Sequence, residues 1–188
     1  MRPDRIIVGE IRRQDQAEVL FEAMHTGHSV YATLHADTAD ETYRRLVNPP
    51  INVPETLVEA IDLIVVMFRD RRSGIRRVYE VAEFYRDKKN ISVKIISKWD
   101  PKTDSLKSVK KGMRFIEKIK MFTGFTDKEV KKELSEKEEI LKWVLKNRIN
   151  NVNSVGKVIA EYYNDKKRVL DIVKKNQKPE VLIPKEWL

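Results

Sequence analysis

The chain has 188 residues, 41% of them hydrophobic and 36% charged, with a formal charge of +9 and no cysteine. This length allows one ordinary domain with a small appendage, and the apolar content suffices for a packed core, which excludes global disorder. Without cysteine there is no disulfide framework, no thiolate metal site and no cysteine nucleophile. No run approaches the roughly 20 apolar residues of a membrane span, and Arg2, Asp4 and Arg5 interrupt any signal-peptide pattern. A soluble, cytoplasmic protein is expected.

The charge is uneven. Residues 1–100 carry 16 bases and 16 acids, whereas residues 101–188 carry 22 bases and 13 acids. Arginine supplies 12 of the first 16 bases and lysine 19 of the last 22. Arginine recognises phosphate and carboxylate through a rigid fork, so residues 1–100 suit specific contacts and residues 101–188 a solvated surface. Two regions are expected, divided near Asp100-Pro101.

In chain order, RIIVG reads as a buried strand ending at Glu10. RQDQAEVLFEAMHTG places Ala17, Leu20, Phe21 and Met24 at helical spacing, with Gly27 suited to the C-terminal cap. SVYATLH is a second strand. Strand, helix and strand together have the size of a βαβ unit, with parallel strands. TADETYRRLV predicts a shorter helix, and the three prolines of NPPINVP force an extended turn. IDLIVVMFRD, IRRVYEVAEFYRD and NISVKIISKWD predict three strands, the first two joined by a turn at RRSG.

Beyond Pro101 the pattern predicts a small helical bundle. Thr126 and Glu129 form a capping box, and Val130, Leu134, Leu141 and Leu145 supply the apolar stripe of the helix that follows. NVNSVGKVIAEYY and DKKRVLDIVKK are two further amphipathic helices.

In parallel α/β sheets, ligands bind beyond the carboxyl ends of the strands. Glu10 and His35 each fall just past such an end, on one edge of the sheet. A carboxylate there can orient a Mg²⁺-bound water for attack on a phosphate. A histidine can bond a phosphoryl oxygen, and Arg12 and Arg45 can offset developing negative charge. Each signal has a plainer reading: a strand end, a satisfied histidine, a salt-bridge arginine. A zinc site from His25, His28 and His35 is disfavoured, because extended geometry scatters the three side chains.

Taken in order, RPDRIIVGEIR, TGHSVYATLHAD and RRLVNPPINVP resemble the ATPases of type II secretion, type IV pili and archaeal surface filaments. The first segment is similar to that family's Walker B strand, with Glu10 at the catalytic glutamate. The second is similar to its histidine box, with His28 and His35 at the two box histidines. Arg45 falls where the family carries an arginine near the nucleotide. NPPINVP and the lysine-rich tail look most like the archaeal pilus and archaellum branch.

The resemblance implies an α/β fold: the C-terminal part of a RecA-like P-loop NTPase sheet in residues 1–100, then an all-helical subdomain in residues 101–188. It implies ATP and Mg²⁺ as cofactors of the complete enzyme, with Glu10 acting on Mg²⁺ indirectly or through water. It further implies a hexamer, a membrane platform protein as partner, a site at the cytoplasmic face of the membrane, and no specific nucleic acid. The 188 residues contain no G-x-x-x-x-G-K-[ST] phosphate loop; Gly156-Lys157 is followed by Val158, and Asn151 stands where the first glycine belongs. The chain is thus expected to be the back half of such an enzyme, inactive alone, with Met1 matching an internal methionine. The rival expectation is a non-catalytic module or split-gene remnant that co-assembles with a chain supplying the P-loop. A basic nucleic-acid-binding protein is a third, disfavoured because lysines alternate with glutamates in KEVKKELSEKEE.

Overall fold

The computed structural model describes residues 3, 5–87, 90–110, 112 and 114–187. Met1, Arg2 and Asp4, which entered the reading of the N-terminus, lie outside the described residues. Two compact units are present, Met1–Lys118 and Ile119–Leu188.

The first unit opens with β1 (Arg5–Glu10), α1 (Gln14–His25) and β2 (Ser29–Thr33), and β1 and β2 pair in parallel as the βαβ spacing predicts. Ala17, Leu20 and Phe21 of α1 are buried, with Val8 and Val30 of the strands packed against the same core. The other face of the pair is open: Ile7 is 80% and its cross-strand partner Tyr31 60% exposed. β1 is therefore half-buried rather than buried, because a two-stranded sheet packed on one face leaves alternate residues outside. α1 ends as expected near Gly27, whose φ of 88° lets its N–H reach the Met24 carbonyl while the His28 N–H reaches that of Ala23.

The chain continues through α2 (Ala39–Val47), the Pro49-Pro50 turn and one turn of helix, α3 (Glu55–Val58). It then forms an antiparallel sheet of β3 (Ile64–Arg69), β4 (Arg76–Asp87), β5 (Asn90–Asp100) and β6 (Ser105–Ser108), in that order. This sheet is separate from the β1–β2 pair. Short connections explain it, because tight turns join only antiparallel neighbours. Sequence periodicity missed β6: SLKS is too short and too polar to show alternation, and it is exposed throughout. β6 pairs with β5, so the compact unit extends to Lys118, past the change in composition at Asp100.

Two carboxylates inside β4 organise the sheet's faces. Glu80 and Glu83 are both buried and, three residues apart on a strand, point to opposite sides. Glu80 accepts the Ala39 N–H at the start of α2 (3.1 Å). Glu83 accepts the Phe115 N–H (2.9 Å) at the start of α4 (Arg114–Thr123), a helix that periodicity also missed.

The second unit holds α5 (Asp127–Lys146), α6 (Val152–Asn164) and α7 (Lys166–Lys174). Thr126 and Glu129 form the expected capping box. The apolar stripe is not the expected one. Val130 is buried, but Leu134, Leu141 and Leu145 are exposed, and α5 instead buries Ile140, Trp143 and Val144. Positions 140 and 144 lie about 100° round the helix from 141 and 145, so two apolar stripes compete, and the one bearing the large indole faces the core. Among the described residues, no helix is long and apolar enough to cross a membrane.

One ion network ties this bundle together. Lys166 lies 2.6 Å from Glu136 and 2.5 Å from Glu133, and the Tyr162 hydroxyl donates to Glu133 (2.7 Å). The hydrogen bond from Lys166 holds the Glu133 carboxyl down at about 2, while burial pushes the Tyr162 phenol up to about 12. Because Glu133 titrates below its ordinary 4.5 in the folded state, its stabilising contribution is present above about pH 5 and lost as pH falls towards about 2. Urea unfolding followed by circular dichroism should therefore show Glu133→Gln about 1–3 kcal/mol less stable than the parent at neutral pH. The two should converge on acidification through that window.

Candidate functional site: a carboxylate, histidine and arginine cleft

Glu10 ends β1 at a bulge. Val8 pairs with Ala32 and Glu10 with Thr33, so Gly9 is an extra residue in the ladder. The Thr33 hydroxyl donates to the Gly9 carbonyl, and the Ile11 N–H donates to the Thr33 carbonyl (2.9 Å). The Gln16 side-chain carbonyl accepts the Arg12 N–H (2.8 Å), turning the chain into α1. Glu10 is thus fixed on both sides, and bulges of this kind re-aim a side chain at the end of a strand.

His35 follows β2 by two residues, and its Nε2 lies 3.3 Å from Glu10 Oε1. The Arg12 guanidinium donates to Glu10 Oε2 at 2.6 Å. That bond holds the Glu10 carboxyl below the ordinary carboxylate range, and the nearby charges of Arg12 and His35 add to it. Arg45, from α2, lines the same cleft, together with Ile11, Leu34 and the turn at Pro49, Pro50 and Ile51. The volume of this open cleft is about 140 Å³.

The loop between His35 and α2 is fixed by groups that the sequence reading did not single out. Glu41 accepts the Asp37 N–H (2.8 Å) and the Arg45 Nε–H (2.7 Å). The first of these is the main cause of its lowered pKa, with Arg45 next. Thr38 caps α2 by accepting the Glu41 N–H, and Glu80, only 3% exposed, takes that of Ala39 while pairing with Lys98 at 3.0 Å. A signal for Glu80 was present: a carboxylate inside the apolar run VYEVAEF must find a partner if it is buried.

Of the five candidate residues, Glu10, Arg12, His35 and Arg45 meet at one cleft. His28 does not. It precedes β2 at the opposite end, where its Nδ1 lies 3.2 Å from the Ala23 carbonyl and 3.0 Å from the Thr26 hydroxyl. His25 likewise engages the Phe21 carbonyl of its own helix (2.7 Å). The three histidines therefore do not converge, and among the described residues no three acids or histidines are grouped to hold a metal.

The molecule is a mixed α/β protein with a charged cleft at the carboxyl ends of a parallel strand pair, the usual ligand edge of such folds. It belongs to the family of type II/IV secretion system proteins, whose family model matches residues 1–137 and so takes in the whole cleft. The chain is similar to an uncharacterized protein of Methanocaldococcus jannaschii, 31% identical over 166 residues, covering 86% of this chain and 60% of that protein. It is similar to the type IV pilus assembly ATPase PilB of Pseudomonas aeruginosa, 40% identical over 82 residues, 42% of this chain and 14% of PilB. It is also similar to the conjugal transfer protein TrbB of Rhizobium radiobacter, 41% identical over 95 residues, 46% of this chain and 28% of TrbB. The match thus spans less than two thirds of each of these relatives.

Proposed function

We propose that this chain is the C-terminal portion of a motor ATPase for secretion or pilus assembly, a RecA-like half-site completed by a phosphate loop outside these 188 residues. The observation that carries this reading is the convergence of Glu10, His35, Arg12 and Arg45 on one cleft beyond β1 and β2. The donor set suits the hydrolytic side of a nucleoside triphosphate. Arg12, Arg45 and His35 offer hydrogen-bond donors to phosphoryl oxygens, and Glu10 is the acceptor for a water proton. A divalent cation bound with the nucleotide would neutralise phosphate charge, and Glu10, a lone carboxylate, would hold it only through water.

His35 bridges the phosphate side to Glu10 and, through the loop fixed by Glu41 and Glu80, to the antiparallel sheet. It would thereby couple phosphate occupancy to movement of the sheet. His28, remote from the cleft, supports this arrangement by capping α1 rather than by touching nucleotide. In the whole assembly a ring of six copies would act on a membrane platform protein at the cytoplasmic face. The rival reading is a non-catalytic module that co-assembles with a P-loop chain.

The 188-residue chain alone is expected to show no ATP turnover above background, and it should co-purify from its source with a polypeptide carrying a P-loop. Turnover by the chain alone that Glu10→Gln abolishes would overturn the half-site reading. Absence of any P-loop partner, with none encoded upstream in the same gene, would leave the remnant.

A further inference from the structure

The β3–β4 hairpin ends in a concentration of arginine that neither the fold nor the cleft uses. Residues 69–77, RDRRSGIRR, hold five arginines and one aspartate, a formal charge of +4. Arg77 is engaged, forking onto Asp104 with two bonds of 2.6 Å. Arg69, Arg71, Arg72 and Arg76 are exposed, and among the described residues none of them has a carboxylate partner. Among the described residues, Asp70 forms no ion pair with them. Its carboxylate is turned into the loop, accepting the Arg72 N–H (2.9 Å) and the Ser73 hydroxyl (2.6 Å). The turn is closed by Asp70 N–H to the Ile75 carbonyl (2.9 Å) and Gly74 N–H to that of Asp70 (3.0 Å), with Gly74 at φ 71°. Among the described residues, four guanidinium groups without a carboxylate partner thus stand on and beside a closed turn, Arg71 and Arg72 within it and Arg69 opposite Arg76 at its base, where they repel one another.

An apolar side chain stands between them in sequence: Ile75, next to Arg76 in the turn, is 38% exposed. A turn that presents cationic forks beside an exposed isoleucine suits an anionic surface. Guanidinium forks bind phosphate bidentately, while exposed apolar groups settle at the boundary between headgroup and acyl chain. An acidic protein groove would use the arginines but not Ile75. Single-stranded nucleic acid would need ring faces to stack on. The Phe68 ring of β3 is instead stacked on Trp99 at 5.4 Å.

We propose that the β3–β4 hairpin tip docks on the phosphate headgroups of an anionic membrane surface, with Ile75 entering the headgroup layer between arginines. The proposal holds whether or not the cleft hydrolyses nucleotide.

Co-sedimentation of the full 188-residue chain with vesicles tests it, using phosphatidylcholine alone and phosphatidylcholine with about one third phosphatidylglycerol. Binding is expected only to the anionic vesicles and should fall as salt is raised. The double variant Arg71→Glu, Arg72→Glu should partition at least roughly 30-fold more weakly, the loss of two headgroup contacts of ordinary strength. Ile75→Ser, with every charge kept, should bind roughly fivefold more weakly. Lys128→Glu with Lys131→Glu, the same change of charge placed on α5, should bind within about twofold of the parent. Should the first pair fail to fold by circular dichroism, Arg69→Gln with Arg76→Gln reads the same surface and should lose a comparable factor. Equal binding to both vesicle types, undiminished binding of the arginine variants or of Ile75→Ser, or an equal loss in the α5 control overturns the proposal. So does arginine-dependent binding to single-stranded DNA or polyglutamate without vesicle binding.

Discussion

Glu10→Gln is expected to slow nucleotide turnover by roughly 10²–10⁴-fold in the assembly completed by a P-loop partner, the usual size of a lost general base. The substitution keeps the shape of the side chain and removes its charge. One carboxylate oxygen becomes an NH2 group, so the Arg12 guanidinium, bonded at 2.6 Å, and His35, at 3.3 Å, must compete for the single remaining oxygen and neither faces a charged group. Both then remain as donors to phosphate, so nucleotide affinity should hold or rise while turnover collapses. Steady-state turnover and equilibrium nucleotide binding, measured on the same co-purified complex, separate the two effects. A parallel loss of affinity and rate would place Glu10 in binding rather than in the hydrolytic step. An unchanged rate would remove it from the chemistry.

Trp143→Ala should unfold the helical unit while the first unit persists. Trp143 is 3% exposed, packs within the core of α5, α6 and α7, and donates its indole N–H to the Gln177 carbonyl at 3.1 Å. Truncating a buried tryptophan costs about 3–5 kcal/mol. A unit of this size commands only about 4–10 kcal/mol in total. Loss of roughly half or more of the helical circular dichroism, with protease cleavage confined to residues 119–187, is the expected result. Trp143→Phe keeps most of the buried area and should cost only about 1–2 kcal/mol, the hydrogen bond plus a small void. If the alanine variant melts with the parent, the indole is not the keystone of this core.

The parts of the site that could be read in the chain are those set by local pattern. RIIVGE and SVYATLH each carry their strand signal within a few residues, and the helix between them announces itself at Ala17, Leu20, Phe21 and Met24. Parallel pairing then follows from connection length alone, and the meeting of Glu10 with His35 follows from pairing. What could not be read was set by partners distant in sequence. Glu80 matters to the cleft because it receives the Ala39 N–H from 41 residues away, and no periodicity reports that. β6 exists because β5 offers it an edge, not because SLKS favours extension. On α5 the choice between the Leu134, Leu141, Leu145 stripe and the Ile140, Trp143, Val144 stripe is decided by what α6 and α7 present. His28 and His35 looked equivalent as a pair in sequence, yet only the residue beyond the strand's carboxyl end reaches the acid.

The bulge at Gly9 has a mechanical meaning. Thr33 grips β1 twice, its hydroxyl on the Gly9 carbonyl and its own carbonyl on the Ile11 N–H. The two bonds straddle Glu10, so the acid has no slack of its own relative to β2. Any sliding or tilting of the strand that leads to His35 must carry the Glu10 backbone with it, as a rivet carries both plates. A force arriving through the loop after His35 would move the acid, the histidine and the Arg12 bonded to Glu10 together, changing the gap to Arg45 on α2.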